Sequence, residues 1–148
     1  TDMGEDFLPL EFRFHVSMCG VLGVGADLRK WGETEMAEAK KWIALYKQIR
    51  PIIQQGDMYR LGSPLEDDFT GVQYMSKDQT SGVLFAFLVH RTDPVTPLIL
   101  YPRGLAPDRL YTIEGFSEAR SGMAWMKTGV TVTLSNFSST VRQIRCEG

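Results

Sequence analysis

The part of the chain after Gly56 consists of short runs rich in β-branched and aromatic residues. Turn-forming residues separate these runs, among them Gly62, Pro64 and Pro94. Several short strands at this spacing are typical of an antiparallel sandwich or barrel. We predict strands in the runs DMYRL, TGVQYMS, GVLFAFLVHR, TPLILYP, RLYTIEG, MAWM, GVTVTLS and STVRQIRC. The sequence therefore predicts an antiparallel β-sandwich over residues 57–148.

A strand and one long helix are predicted before this β-rich part. Residues 11–18, EFRFHVSM, alternate between apolar and polar side chains, which is the period of a strand. Residues 33–50 begin with acidic side chains, end with basic ones and carry an apolar stripe at helical spacing. That stripe is Met36, Ala39, Ile43 and Tyr46. Pro51 predicts an end or a kink of the helix, and Gly56 its final stop.

Composition excludes several classes of protein. A net charge of −2 over 148 residues gives no basic surface for nucleic acid. The longest apolar run, residues 82–89, is too short to cross a bilayer, and no segment has the plan of a signal peptide. We therefore expect no nucleic-acid or membrane partner and a cytoplasmic location. In that reducing compartment Cys19 and Cys146 are expected to be free thiols, with one disulfide between them as the alternative.

Three groups of residues invite a chemical interpretation, and each also has a simpler structural one. The glycine stretch GVLGVG, residues 20–25, lacks the order of a phosphate-binding loop, so we interpret it as a turn. The carboxylates at 66–68 would suit glycoside hydrolysis, but such a run in a polar loop is more typical of a solvated turn. His15 and His90 have no histidine or cysteine nearby at ligand spacing, so we expect no zinc site.

The tryptophans Trp31, Trp42 and Trp125 provide aromatic area for stacking against a sugar, although core packing is their commoner use. They give the main alternative function, a free-standing and non-catalytic module that binds carbohydrate through the aromatic residues of its sheet. A third hypothesis is a complete small enzyme that uses the carboxylates at 66–68.

Three separated blocks of the chain resemble the C-terminal part of the family 36 glycoside hydrolases, the bacterial alpha-galactosidases. They are PLEFRFHVSMCGVLGVGADL, then YKQIRPIIQQGDMYRL with SP just after it, then RGLAPDRLYTIEG. The resemblance runs from residue 8 to the end. It implies an α+β, mostly β segment of that family's fold. Residues 1–56 would be the last strand and helix of a (β/α)8 barrel, and residues 57–148 the C-terminal antiparallel β-sandwich domain.

The resemblance also implies a chemistry, a retaining double displacement that uses two aspartates. In the family these belong to a KWD-type segment and to the region after a CSGG-type loop, and neither motif occurs in this chain. We therefore assign no catalytic residue and expect the chain to be inactive alone. Because the C-terminal ends of barrel strands face the active site, Met18, Cys19 and Gly20 are the candidates for a supporting role in substrate binding, although ordinary packing within the barrel is the commoner role of residues at such positions.

The function implied is that of the C-terminal region of an alpha-galactosidase, with a structural or assembly role. The parent enzyme would release terminal α-linked galactose from oligosaccharides such as raffinose or melibiose, and the resemblance implies that it needs no metal and no organic cofactor. The expected partners are an upstream barrel domain of the same polypeptide, α-galactosides through that enzyme, and further copies in a homo-oligomer. The chain opens with Thr1, which suits a processed or excised piece.

Overall fold

The structure, a computed structural model, describes residues 8–63, 65–93 and 96–148. The helices are α1 (Leu10–Met18), a short 3-10 helix (Leu28–Lys30), α2 (Glu33–Gln55) and α3 (Gly122–Thr128). The strands are β1 (Asp57–Gly62), β2 (Thr70–Met75), β3 (Ser81–Leu88), β4 (Leu98–Leu100), β5 (Leu110–Ile113), β6 (Arg120–Ser121), β7 (Val130–Val132) and β8 (Ser138–Cys146). The predicted turn residues Pro64 and Pro94 lie outside the described residues.

Six of the strands form one antiparallel sheet in the order β1-β2-β3-β8-β5-β6, and β4 pairs with β7 in a second sheet. The last strand, β8, lies between β3 and β5, with Ser81 opposite Arg145 and Leu88 opposite Ser138. From its second residue onward, β3 is buried on both faces, which explains why its sequence is a continuous apolar run. The antiparallel, strand-rich fold predicted after Gly56 is confirmed.

Two apolar cores lie on opposite faces of the large sheet because successive side chains of β3 point to opposite sides. Leu84 and Leu88 belong to the core that the second sheet and α3 complete. Phe85 and Phe87 belong to the other core, together with side chains of α1 and α2. The two long helices therefore form a layer on the outer face of the sheet.

The strand predicted at residues 11–18 is wrong, because this segment forms α1. In a helix Leu10, Phe14 and Met18 share one face at a spacing of four, and His15 joins them in the core. Val16, which the strand prediction placed on the apolar face, is 52% exposed. The structure has no strand among residues 8–56, and the barrel β/α unit predicted for residues 1–56 is not confirmed.

Helix α2 is longer than its predicted core and runs through Pro51 to Gln55. Its buried stripe is shifted from the predicted one, since Met36 and Ile43 are only half-buried. The buried residues are Ala39, Trp42, Tyr46, Ile49 and Ile53. Gly56 ends the helix as predicted, and its reason is steric: a Cβ there would lie 2.5 Å from the carbonyl oxygens of both Ile52 and Met75.

The strand predicted for the run MAWM is also wrong, because these residues lie in α3. Ser121 caps this helix by accepting a hydrogen bond from the Ala124 N–H at 3.2 Å. Trp125 is fully buried, and its Nε1 donates to the Tyr111 carbonyl at 2.8 Å. A four-residue apolar run shows too little of its period to separate helix from strand.

The loop at residues 101–109 contains the start of the third sequence block, RGLAPDRLYTIEG. A buried side-chain amide holds this loop in place. Gln73 is fully buried, and its Nε2 donates to the Arg103 carbonyl at 2.7 Å. Its Oε1 accepts from the Arg103 N–H at 3.0 Å. Gly104 has φ +68°, and a Cβ there would collide with the Tyr59 ring. Only glycine is therefore unstrained in the conformation that Gln73 holds.

We expect Gln73→Leu to lower the free energy of unfolding by about 1–3 kcal/mol, because the N–H and the carbonyl group of Arg103 both lose their hydrogen-bond partner. Urea denaturation of the 148-residue chain measures this change. The matched control is Gln54→Leu, since Gln54 is exposed on α2. Equal stabilities of the two variants would contradict the assignment.

Candidate functional site

The candidate residues Met18, Cys19 and Gly20 lie where the chain leaves α1. The side chain of Met18 is fully buried, that of Cys19 is half-buried, and Gly20 is exposed. Two tyrosine hydroxyls donate to carbonyl oxygens here: Tyr74 to Cys19 at 2.6 Å and Tyr46 to Gly20 at 2.8 Å. We call these five residues the α1 junction. Their hydrogen bonds join the end of α1 to β2 and to α2.

His15 lies one turn before the junction and faces the core. Its Nδ1 lies 2.8 Å from the Ser139 hydroxyl on β8, and its ring packs edge-on against Trp42 with centroids 4.4 Å apart. Its Nε2 is buried without a hydrogen-bond partner in the described part of the chain. Burial, and secondarily the positive charge of Lys41, lowers the pKa of His15 to about 4. This histidine is therefore neutral at pH 7 and serves as a packing residue.

Cys19 is equally unsuited to chemistry. Burial raises the pKa of its thiol to about 12, and its Sγ donates to the His15 carbonyl at 3.4 Å. A thiol that stays protonated is a poor nucleophile. Cys19 and Cys146 are both free, which confirms the first of the two predicted alternatives.

The carboxylates Glu66, Asp67 and Asp68 are exposed in the loop between β1 and β2. Asp67 accepts a hydrogen bond from the Ser63 N–H at 3.0 Å, and Asp68 pairs with the Arg91 guanidinium at 3.0 Å. An open groove of about 500 Å³ lies beside this loop, and Glu66 and Asp67 contribute to its wall. Two of the three carboxylates thus hold the loop in shape.

The three tryptophans do not share a surface. Trp125 lies in the core between the two sheets, Trp42 lies in the core under the helices, and Trp31 packs half-buried against that second core. The stacking surface suggested by these residues is therefore not formed. Within residues 8–63, 65–93 and 96–148, no three His, Cys, Asp or Glu side chains are grouped to hold a metal ion. No helix in those ranges is long and apolar enough to span a membrane.

The sequence of the β-rich part decides the family. The family model for the glycosyl hydrolase family 36 C-terminal domain matches residues 69–144, which include β2, β3 and the loop held by Gln73. The chain belongs to this family. Its antiparallel sheet is therefore the C-terminal domain of family 36, as the three sequence blocks indicated.

Similar proteins and solved structures extend the match beyond the sheet to the helices. Probable alpha-galactosidase C of Aspergillus flavus is 36% identical over 125 residues, which are 83% of this chain and 16% of that protein. The alpha-galactosidase AgaB of Geobacillus stearothermophilus superimposes with a TM-score of 0.89 at 29% identity, over 98% of this chain and 20% of its own. A variant of AgaA from the same organism, in complex with raffinose, has a TM-score of 0.85 at 30% identity and 91% and 19% coverage. The chain spans about a sixth of the length of the curated relatives it matches.

Sequence analysis missed the residues that build the α1 junction around its three candidates. Tyr46 was counted only as part of an apolar stripe, and Tyr74 was not singled out. The available signal was chemical: a tyrosine hydroxyl that becomes buried in an apolar face needs a hydrogen-bond acceptor. Which carbonyl supplies it depends on the tertiary fold.

We expect Tyr74→Phe and Tyr46→Phe each to destabilise the chain by about 1 kcal/mol, since each removes one hydrogen bond from a largely buried site. Thermal unfolding monitored by circular dichroism measures the loss. The control is Tyr101→Phe, because Tyr101 is 51% exposed. If all three variants melt with the parent, the hydroxyls of the junction contribute nothing to stability.

We expect the chain to lose stability as the pH falls from about 6.5 to about 4. In this range His15 binds a proton in the unfolded state but stays unprotonated in the folded state, where it is buried. The loss is on the order of 3 kcal/mol. Urea midpoints at successive pH values measure it, and His15→Gln should flatten the profile while His90→Gln leaves it unchanged.

A flat profile of the parent chain between pH 6.5 and 4 would contradict this assignment of His15. The titration of Asp78 does not overlap with the pH range assigned to His15. Hydrogen bonds from Ser76 and Thr80 lower the pKa of Asp78 from 3.8 to about 2, so its contribution is lost only in that lower window.

Proposed function

We propose that this chain is the non-catalytic C-terminal region of a retaining α-galactosidase, whose barrel domain lies upstream in the same polypeptide. The observation that carries the proposal is the superposition on AgaB, which covers 98% of this chain and only 20% of the enzyme. The raffinose complex of the AgaA variant supports oligosaccharides with terminal α-galactose as the substrate class.

The chemistry of the described side chains supports a structural role. Retaining hydrolysis uses two carboxyl groups about 5–5.5 Å apart on either side of one sugar bond. Here Asp67 and Asp68 are engaged in holding an exposed loop, and His15 and Cys19 are both held in their uncharged forms. These groups are arranged to stabilise the fold, and the proposed enzyme takes its acid and nucleophile from upstream.

The proposed division of labour follows the two layers. Residues 57–148 form the C-terminal sheet domain, and residues 1–56 connect it to the upstream barrel. Phe85 and Phe87 of the sheet pack against α1 and α2, so the connecting helices share an apolar core with the sheet. We propose that this core fixes the orientation of the two helices relative to the sheet domain.

The proposal extends to the setting of the enzyme. The free thiols of Cys19 and Cys146 are consistent with a reducing compartment, and we propose the cytoplasm. We also propose a homo-oligomeric enzyme, which light scattering of the longer polypeptide would test.

We expect the 148-residue chain to show no hydrolysis of p-nitrophenyl α-galactoside, and the longer polypeptide of the same reading frame to hydrolyse it. The β-anomer serves as the control substrate. In the longer polypeptide the triple change Glu66→Gln, Asp67→Asn and Asp68→Asn should leave the rate unchanged. Activity of the short chain, or a folded longer polypeptide without activity, would overturn the proposal.

Titration of the short chain with galactose or melibiose separates this proposal from the carbohydrate-binding alternative. Because Trp42 and Trp125 are buried in the cores, we expect no change in tryptophan fluorescence or melting temperature. A saturable change in either would favour a binding module.

A further inference from the structure

Arg142 of β8 carries a half-buried guanidinium that has no counter-charge in the described part of the chain. It lies opposite Leu84 of β3, on the same face of the sheet as Ile144, which belongs to the core between the two sheets. Its Nε is buried and has no hydrogen-bond partner among the described residues. None of the ion pairs within those residues involves it. A charge that is partly removed from water without a partner is unfavourable.

The turn that follows β5 is shaped around this guanidinium. Gly115 has a φ of +91°, and a Cβ there would collide with Nη1 of Arg142. The left-handed backbone and the close approach both require glycine at this position. Because Gly115 is itself exposed, the Nη end of the guanidinium lies at the surface, while Nε is enclosed. The Nη groups are therefore the part that a ligand from solution can reach.

The acidic residue of this turn, Glu114, is engaged elsewhere. Its Oε2 accepts a hydrogen bond from the Gln143 N–H at 3.2 Å, and its own N–H donates to the Gln143 carbonyl at 3.0 Å. The preceding residue, Ile113, faces the core between the sheets, so the side chain of Glu114 points to the opposite face. The guanidinium of Arg142 thus stays unpaired although a carboxylate lies in the adjoining turn.

Arg120 provides a second unpaired guanidinium near the same turn. It is half-buried, and its Cζ lies 4.7 Å from the centroid of the Trp125 ring. That ring packs edge-on against Phe116 with centroids 5.2 Å apart, and Phe116 directly follows Gly115. None of the ion pairs within the described ranges involves Arg120 either. We call Arg142, Gly115, Phe116 and Arg120 the arginine turn.

We infer that the arginine turn is a binding site for a small oxyanion, held by the two Nη groups of Arg142. A guanidinium presents its N–H donors in a planar fork that matches two oxygen atoms of a carboxylate or a phosphate. Such an anion supplies the counter-charge that the chain lacks, and the positive charge of Arg120 adds to the attraction. The ligand class is an anion with two or more oxygen atoms. The inference stands apart from the proposed function, because it concerns the 148-residue chain alone.

Thermal unfolding of the 148-residue chain in phosphate, sulfate, acetate or chloride, at constant ionic strength, tests the site. Phosphate and sulfate also stabilise proteins in general, so the readout is the difference between the parent chain and Arg142→Lys. This variant keeps the charge and loses the fork. We expect at least one oxyanion to raise the melting temperature of the parent saturably, by about 3 °C more than that of the variant. Arg145→Lys is the matched control and should respond as the parent does, because Arg145 is exposed on the same strand.

A second variant measures the cost of the unpaired charge. Arg142→Met removes the charge and keeps an apolar stem against the core. In chloride its urea midpoint should equal or exceed that of the parent, because no partly buried charge is left without a partner. In saturating oxyanion the parent should become the more stable of the two. A parent that is already more stable in chloride and gains no further advantage from any of the three oxyanions would overturn the site.

Nuclear magnetic resonance locates the binding. In the 15N-labelled chain the amide signals of Gly115 and Phe116 should shift with the concentration of the stabilising oxyanion, and Arg142→Lys should lose these shifts. A response to acetate alone supports a carboxylate ligand, and a response to phosphate or sulfate supports a tetrahedral one. Equal stabilisation of the parent and Arg142→Lys in all four salts overturns the inference, because the effect is then a general one. Shifts confined to other parts of the chain overturn it as well.

Discussion

The pairing of β8 with β3 is the interaction on which the other contacts depend. It brings the last strand of the chain into the middle of the sheet and buries β3 on both faces. One face then meets the second sheet, and the other meets α1 and α2. Ser139 of β8 also holds His15, so a strand near the C-terminus positions the first helix. Without this pairing, neither apolar core would have a complete sheet face to pack against.

Local chemistry predicted the elements where it was unambiguous. Strands after Gly56 were predictable because turn residues bound each apolar run. Residues 11–18 were mistaken for a strand because alternation over so few positions also fits a helix once His15 is counted as buried. The place of β8 between β3 and β5 could not be predicted, since a non-local pairing leaves no mark in the local pattern.

The candidate site was predictable only in part, and for a related reason. The resemblance directed attention to Met18, Cys19 and Gly20, and the structure places them at a junction held by two tyrosines. Their importance lies in their carbonyl groups, which every residue type possesses. No sequence pattern marks a backbone acceptor, whereas the glycine stretch at residues 20–25 was visible from its composition alone.

The single-residue passage from α2 into β1 has a practical consequence. Gly56 turns the chain directly from helix to strand, with Ile52 and Met75 too close to admit any side chain. The helices and the sheet thus have no linker between them. Cleaving the polypeptide there would separate α1 and α2 from Phe85 and Phe87 and expose an apolar face of the sheet to water. A shortened form that keeps only residues 57–148 would be prone to aggregate, so the useful unit for expression begins before α1.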